Sequence, residues 1–229
     1  MNNPGNPENH SLCPRDPGDG PIFNDLRNAA PDVTAVILAG GKSSRMGGVN
    51  KALLKIDGIA IIEREIAILD GIFKEIIIIS NSPDSYRFLG KPIFPDIILG
   101  KGSLGGLYTG LKRSSNQRCF LAPCDMPFLR SDIIRLMLSN MDEHDVIIPR
   151  INGHLEPMHA IYSKKCIPII ERLLQSDDLK IIHLLDEVDT YEIAESSLKQ
   201  FDQAFDFTMN VNTPRDLEMA SIKSAQITP

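Results

Sequence analysis

Short apolar runs alternate with amphipathic segments along most of the chain, and this alternation predicts its main elements. Apolar residues recur at helical spacing in IAIIEREIAILDGIF (59–73), SLGGLYTGLKRSS (103–115) and RSDIIRLMLSNM (130–141). The short aliphatic runs that precede and separate these helices predict strands at Thr34–Ala39, Glu75–Ser80, Pro92–Pro95, Arg118–Ala122 and Asp145–Pro149. Alternating strands and helices form a mostly parallel sheet covered on both faces. We therefore predict an α/β fold with three α/β/α layers and a Rossmann-like sheet.

The rhythm changes near residue 150. Two extended runs in DVIIPRINGHLEPMHAIY flank Asn152-Gly153, a dipeptide that strongly favours a two-residue hairpin. This predicts an antiparallel excursion late in the sheet. Two further helices are expected over 163–175 and 178–187, then a strand near Tyr191–Ala194. A last helix should begin at Pro214, with Thr213 as its N-cap.

Composition suggests one globular unit with extensions. The chain has 229 residues, and its first 32 are rich in Pro, Gly, Asn and Asp. We expect residues 1–32 to be a disordered N-terminal extension, 33–221 a single domain and 222–229 a tail.

The charge balance and the cysteines narrow the partners. Lys and Arg number 24 against 30 Asp and Glu, a net charge of −6, which disfavours nucleic acid and membrane surfaces as partners. The chain shows neither a secretory signal pattern nor 18 successive apolar residues. Its four cysteines form no C-x-x-C pair. These features predict a soluble, cytoplasmic protein.

Four glycine-rich or polar loops follow predicted strands, where ligands of open α/β sheets bind. They are GGKSSRMGGVNK, SNSPDS, PDIILGKGSLGG and PCDMPF. In the first loop, Gly40 and Gly41 lack β-carbons, so backbone N–H groups can approach a nucleotide closely. The segment 33–56 has no acidic residue and carries four cations, Lys42, Arg45, Lys51 and Lys55. This field suits a triphosphate, although an ordinary strand-to-helix turn with solvated lysines has the same pattern.

Asp125 stands between Pro123 and Pro127 after a strand, so its carboxylate is expected to be held in one orientation. Opposite a basic loop, such a carboxylate can hold Mg²⁺ that bridges phosphates. Alternatively it caps the next helix, a task for which Ser131 or Asp132 is better placed.

Other candidates have weaker signals. Gly102, Gly105 and Gly106 flank the start of a helix, whose N–H groups favour anions or sugar oxygens. Asn210 and Asn212 could complete a metal or substrate shell, or act as turn residues. Glu156, His154 and His159 could line the cleft or serve structural roles.

The combination of LAGGKSSRMGGVNK, PDIILGKGSLGGL, PCDMPF, EPMHAIY and NVNTPRDL resembles the molybdenum cofactor guanylyltransferase family, which has the nucleotide-diphospho-sugar transferase type of fold. These segments extend from residue 36 to 217. The second glycine of LAGG, the LGGL loop, PCDMPF and NVNTP together resemble the guanylyl enzyme more narrowly, whereas the sister cytidylyltransferases typically read LAAG. The chain departs from the pattern in its N-terminal extension and at Ser103, where the family commonly has proline.

The resemblance implies transfer of GMP from GTP to the terminal phosphate of molybdopterin cofactor, with Mg²⁺ as cofactor. It implies transient contacts with molybdenum-insertion or molybdoenzyme proteins as well. The site residues that it implies fall into three groups: Arg45, Lys51 and Asp125 for catalysis, with Asp125 on the metal; Leu38, Ala39, Gly40, Lys51, Ser80, Asn81, Asp96 and Asp125 for GTP; Gly48, Gly106, Asn210 and Asn212 for the acceptor. The alignment leaves Ser80 and Asn81 ambiguous by one residue.

The absence of a nucleophile–base pair in the sequence agrees with this chemistry. A phosphomonoester, with a second pKa of about 6, arrives ionised and needs no general base. Two rivals remain open from sequence: a cytidylyl or sugar-phosphate nucleotidyltransferase of the same fold, and a non-catalytic nucleotide-binding module.

Overall fold

The structure, a computed structural model, describes residues 32–40, 50–141 and 143–227. The predicted extension, apart from Asp32, and the predicted site residues Arg45 and Gly48 lie outside these ranges. The strands are β1 Val33–Leu38, β2 Lys55–Ile56, β3 Ile59–Ala60, β4 Glu75–Ile79, β5 Ile93–Phe94, β6 Arg118–Pro123, β7 Val146–Ile151, β8 His154–Leu155, β9 Ala160–Ser163 and β10 Thr190–Ile193. The α-helices are α1 Ile61–Asp70, α2 Gly102–Arg113, α3 Ser131–Leu138, α4 Ile167–Gln175, α5 Ile181–Leu185, α6 Glu195–Leu198 and α7 Pro214–Ile227.

The central sheet has the order β10-β7-β9-β6-β1-β4-β5, and β8 pairs with β7. β5, β4, β1 and β6 run parallel to one another, as do β7 and β10. β9 lies between β6 and β7 and is antiparallel to both. The predicted fold class, including the late antiparallel excursion, is confirmed.

Helices cover both faces of the sheet, and β1 is therefore buried on both faces. Val33, Ala35 and Ile37 face one apolar layer, to which α1 and α3 contribute. Val36 and Leu38 face the opposite layer, formed with α2, α4 and α5. A strand that is buried on both faces has a nearly continuous run of apolar residues, which explains the sequence VTAVIL of β1.

Two hairpins in the described part of the chain have tight turns. Asn152 and Gly153 have φ of 49° and 80°, and they join β7 to β8 as predicted. Asp57 and Gly58, with φ of 51° and 81°, join β2 to β3 in a second hairpin. The prediction that residues 59 and 60 are helical was wrong, because this Asp-Gly turn draws them into β3.

Other boundaries differ from prediction by a few residues. The helix predicted over 178–187 spans only Ile181–Leu185, and the one predicted from 163 begins at Ile167 after a 3₁₀ turn, Lys164–Cys166. α7 begins at Pro214 as predicted and continues to Ile227, into the segment expected to be a tail. Ser224 of that segment is buried. Within the described residues, no helix is long and apolar enough to span a membrane.

Candidate active site

Backbone hydrogen bonds continue past the carboxyl ends of β1, β4 and β6 and hold the segments that follow these strands together. Ala39 N–H donates to the carbonyl of Ile79 at 2.9 Å, and Cys124 N–H donates to the carbonyl of Leu38 at 3.2 Å. The residues that follow these three strands therefore lie side by side at one edge of the sheet. Gly40 is exposed there, and a β-carbon at this position would meet open space.

Lys51, Asp125 and Asn212 meet at this edge. Lys51 Nζ donates to Asn212 Oδ1 at 2.6 Å and lies 4.0 Å from Asp125 Oδ2. The Lys51 and Asp125 side chains are 20% and 18% exposed, so both are shielded yet reachable from solvent. Three separate parts of the chain thus place a cation, an anion and an amide together, and all three were predicted site residues.

A 3₁₀ turn, Lys51–Leu53, holds Lys51 in place. The side chain of Asn50 caps this turn by accepting from Ala52 N–H at 3.2 Å. The hydroxyl of Tyr86 donates to the same Asn50 oxygen at 3.1 Å. Tyr86 is buried, and burial raises its pKa to about 12, so it remains a donor across the physiological range.

The peptide unit between Asp125 and Met126 is hydrogen-bonded on both sides. Its carbonyl, from Asp125, accepts from Val211 N–H at 2.9 Å. Its N–H, from Met126, donates to Glu65 Oε1 at 3.1 Å. Hydrogen bonds from helix α1 and from the segment before α7 therefore add to the orientation that the flanking prolines were expected to impose. Burial raises the pKa of Asp125, and the Lys51 ammonium partly opposes that shift.

Glu65 is a buried carboxyl that the sequence interpretation did not single out. It lies on the inner face of α1, fully shielded from solvent, and its Oε2 has no hydrogen-bond partner among the described residues. Burial raises the pKa of the Glu65 carboxyl well above its ordinary range, and the hydrogen bond from Met126 N–H only partly opposes this shift. A signal was present: Glu65 occupies an apolar-face position of α1, together with Ile61, Ile62, Ile66 and Leu69.

Asn81 and Asp96 form a reciprocal pair after β4 and β5. Asn81 Nδ2 donates to Asp96 Oδ2 at 2.7 Å, and Asp96 N–H donates to Asn81 Oδ1 at 3.0 Å. Ser80, in contrast, is 2% exposed, and its hydroxyl accepts from Ser82 N–H at 3.1 Å. Of the two residues that the alignment left ambiguous, Asn81 is the one exposed to solvent.

Four of the predicted site residues have packing, backbone or turn contacts in the structure: Leu38, Ala39, Gly106 and Asn210. Gly106 is buried in α2, where a β-carbon would lie 3.0 Å from both terminal methyls of Leu38. The Leu38 side chain is therefore directed into this interface, and a ligand would have to meet its backbone. Asn210 donates through Nδ2 to the Thr208 carbonyl at 3.0 Å. The buried Ala39 contributes the N–H that links β1 to β4.

The loop before α7 is ordered by a capping box. Asp216 N–H donates to Thr213 Oγ1 at 3.2 Å, and Asp216 Oδ2 accepts from the N–H groups of Thr213 and Asn212 at 2.8 and 2.9 Å. Thr213 is thus the N-cap, as predicted. The Asn212 backbone is fixed, and its side chain is free to extend to Lys51. The expectation that Ser131 or Asp132 caps the helix after Asp125 was wrong. Arg130 is the N-cap of α3 and makes no side-chain capping bond, and Ser131 and Asp132 are the first two residues of the helix.

The described histidines and cysteines do not suggest a nucleophile. Burial raises the pKa of Cys124 well above its ordinary value, which disfavours the thiolate. His159 is fully buried, with its ring edge-on to Phe120 and Phe207. Its place between two aromatic rings is that of a core residue. Within the described ranges, no group of three or more His, Cys, Asp or Glu is arranged to hold a metal ion.

The mostly parallel sheet with its antiparallel excursion, and the cation and carboxylate at its carboxyl edge, match the class of nucleotidyltransferases. A family model described as MobA-like NTP transferase domain matches residues 35–190. A solved structure of molybdopterin-guanine dinucleotide biosynthesis protein A from Archaeoglobus fulgidus has the same fold, with a TM-score of 0.74 and 22% identity. The match covers 85% of this chain and 100% of that chain.

The names of curated relatives identify the family within the nucleotidyltransferases. A probable molybdenum cofactor guanylyltransferase from Natranaerobius thermophilus is 40% identical over 195 residues, which cover 82% of this chain and 95% of that protein. The molybdenum cofactor guanylyltransferase of Desulfosudis oleivorans is 32% identical over 198 residues, with coverage of 85% and 98%. The chain belongs to the molybdenum cofactor guanylyltransferase family of MobA-like nucleotidyltransferases.

Proposed function

We propose that the chain transfers GMP from GTP to the terminal phosphate of molybdopterin cofactor. The observation that carries the proposal is the position of Lys51 Nζ, 2.6 Å from Asn212 Oδ1 and 4.0 Å from Asp125 Oδ2. A shielded ammonium beside a carboxylate suits a triphosphate whose charge is shared between a lysine and a metal ion. The substrates, GTP and molybdopterin cofactor, are inferred from the names of the curated relatives.

The reaction is a substitution at the α-phosphorus of GTP. An oxygen of the acceptor phosphate forms a bond to that phosphorus, and the bond to the oxygen that bridges to the β-phosphate breaks. The electron pair leaves with pyrophosphate. With a second pKa of about 6, the acceptor phosphate is largely ionised near neutral pH, so no general base is required. Catalysis then depends on aligning two anionic substrates and neutralising their charge.

The residues present fit Mg²⁺. This ion usually takes one or two protein carboxylates and completes its shell with phosphate oxygens and water. Asp125 offers one shielded carboxylate at the sheet edge, and the described residues contain no cluster of three or more His, Cys, Asp or Glu that could cage a metal ion, which matches that pattern. When bound, Mg²⁺ would neutralise phosphate charge and orient the triphosphate. Lys51 would contact the same phosphates, and Asn212 would hold the Lys51 ammonium in reach of them.

The Asn81–Asp96 pair would receive the guanosine end. Guanine presents N–H donors on its Watson–Crick edge, and a carboxylate such as Asp96 accepts from such donors. Asn81 orients that carboxylate through its 2.7 Å hydrogen bond. Ser80 would not contribute, because its hydroxyl is buried and already engaged.

A competition assay tests the substrates. The protein is incubated with Mg²⁺, molybdopterin cofactor and equal concentrations of GTP and CTP, and the dinucleotides are identified by mass spectrometry. We expect the guanine dinucleotide to predominate, with one pyrophosphate released per product. Predominance of the cytosine product would assign the chain to cytidylyl transfer, and equal amounts would contradict a guanine preference. Nucleotide binding without any dinucleotide would indicate a binding module.

A further inference from the structure

The buried carboxyl of Glu65 has a specific place in the site. Its Oε1 accepts from Met126 N–H at 3.1 Å, and Met126 directly follows Asp125. That N–H belongs to the same peptide unit whose carbonyl accepts from Val211 N–H at 2.9 Å. Because the carbonyl and N–H of a trans peptide point in opposite directions, the unit is held from both sides. Fixing this plane restricts the backbone rotation that directs the Asp125 side chain.

Helix α1 connects Glu65 to the turn that carries Lys51. The first residue of the helix, Ile61, donates its N–H to the carbonyl of Leu54 at 2.9 Å, immediately after the Lys51–Leu53 turn. One turn further along, Glu65 reaches the Asp125 loop. A rigid helix therefore joins the two segments whose side chains face each other across 4.0 Å.

Burying the Glu65 carboxyl costs desolvation free energy, and one hydrogen bond compensates only part of that cost. Glu65 lies in the apolar interface of α1, where a leucine could pack without desolvating a polar group. Its second oxygen has no hydrogen-bond partner within the part of the chain that the structure describes, so the position is not optimised for stability alone.

We propose that Glu65 is a positioning residue for Asp125: it holds the Asp125–Met126 peptide so that the Asp125 carboxylate faces Lys51 and the triphosphate. This inference rests on the proposed function for its kinetic consequence. Its structural part, the hold on the peptide, applies to the protein without substrates.

Three variants separate this role from simple packing. Glu65→Gln keeps an acceptor oxygen of the same reach, whereas Glu65→Leu fills the space and leaves Met126 N–H without its acceptor. Glu63→Ala is the matched control on the same helix. The Glu63 side chain is exposed and accepts from Ala60 N–H at 3.0 Å, so its loss weakens the start of α1 without touching Met126.

Two measurements are made on each variant. Hydrogen exchange of the Met126 amide is followed by NMR, with the amides of β1 as an internal reference for global unfolding. We expect it to be about tenfold faster in Glu65→Leu and nearly unchanged in Glu65→Gln and Glu63→Ala. Turnover at saturating GTP and acceptor should fall roughly tenfold or more in Glu65→Leu and stay within about threefold of wild type in Glu65→Gln.

The inference is overturned if Glu65→Leu retains wild-type turnover or wild-type protection at Met126. It is also overturned if Glu63→Ala slows turnover as much as Glu65→Leu, since helix stability would then explain both. If the wild-type protein forms no dinucleotide, the proposed function fails. The exchange comparison, which needs no substrate, then decides by itself whether Glu65 holds the peptide.

Discussion

Lys51 and Asn212 are 161 positions apart in the chain and meet in a hydrogen bond of 2.6 Å between Nζ and Oδ1. Lys51 follows the glycine-rich loop near the start of the domain, and Asn212 precedes its last helix. The bond therefore connects the two ends of the domain across the site. It holds the ammonium beside Asp125, where a triphosphate would need it.

A double-mutant cycle tests this connection. Lys51→Ala and Asn212→Ala should each lower kcat/KM for GTP, and their effects should be coupled by about 1–2 kcal/mol, because each residue acts through the other. Steady-state kinetics with varied GTP measure the coupling. Asn140→Ala is the matched control, since Asn140 donates to the Leu136 carbonyl at the end of α3, outside the site. Single-variant effects that simply add in free energy would show that the two residues act independently.

The glycines of α2 should matter for stability in a graded order. A β-carbon at Gly110 would lie 2.7 Å from Val36 Cγ1, and one at Gly106 would lie 3.0 Å from the Leu38 methyls. Overpacking of this kind typically costs about 1–3 kcal/mol, so Gly110→Ala should destabilise more than Gly106→Ala. Gly71→Ala is the control, because its nearest neighbour would be at 3.4 Å. Urea unfolding measures all three.

Gly106→Ala also separates packing from the acceptor contact predicted for Gly106. If the glycine serves packing, the free energy of unfolding should fall while KM for the acceptor is unchanged. A raised acceptor KM with unchanged stability would assign Gly106 to the acceptor side instead.

His159 should make the protein sensitive to mild acid. Burial lowers its pKa from 6.5 to about 3, so the folded state keeps this ring neutral while the unfolded state gains a proton below about pH 6.5. Its contribution to stability is therefore complete above pH 6.5 and is lost as the pH falls towards 3. The slope is at most about 1.4 kcal/mol per pH unit.

His159→Phe should reduce that slope, because phenylalanine cannot titrate and suits a site between Phe120 and Phe207. Urea unfolding at pH 7, 6, 5 and 4 measures the difference, and the same substitution at the exposed His154 is the control. An unchanged pH dependence in His159→Phe would mean that the ring does not set the acid sensitivity.

Local patterns predicted much of the fold. β1, β4 and β6 are short aliphatic runs buried on both faces, and Asn152-Gly153 has the residue types that a tight hairpin requires. The insertion of β9 between β6 and β7 could not be read in the same way, because the order of strands depends on contacts between distant segments. The Asp57-Gly58 hairpin was missed although its turn signal is equally local.

The candidate site was predictable where its residues stand in local sequence patterns, and not where it depends on contacts between distant segments. Asp125 is marked by the two prolines around it, and Lys51 by the acid-free segment that contains it. Which of Ser80 and Asn81 is accessible became clear only from burial and hydrogen bonding. The Lys51–Asn212 pairing and the contact of Glu65 with Met126 depend on the folded chain, and no spacing in the sequence encodes them.

The most direct test of the central claim is dinucleotide formation by Asp125→Ala. Product and pyrophosphate are quantified with GTP, molybdopterin cofactor and increasing Mg²⁺, while circular dichroism confirms the fold. We predict that the wild-type protein forms the guanine dinucleotide in a Mg²⁺-dependent manner. The folded variant should lose about 10²-fold or more of this turnover at every Mg²⁺ concentration. Near-normal turnover by the folded variant would contradict the assignment of Asp125 to the metal and the mechanism built on it.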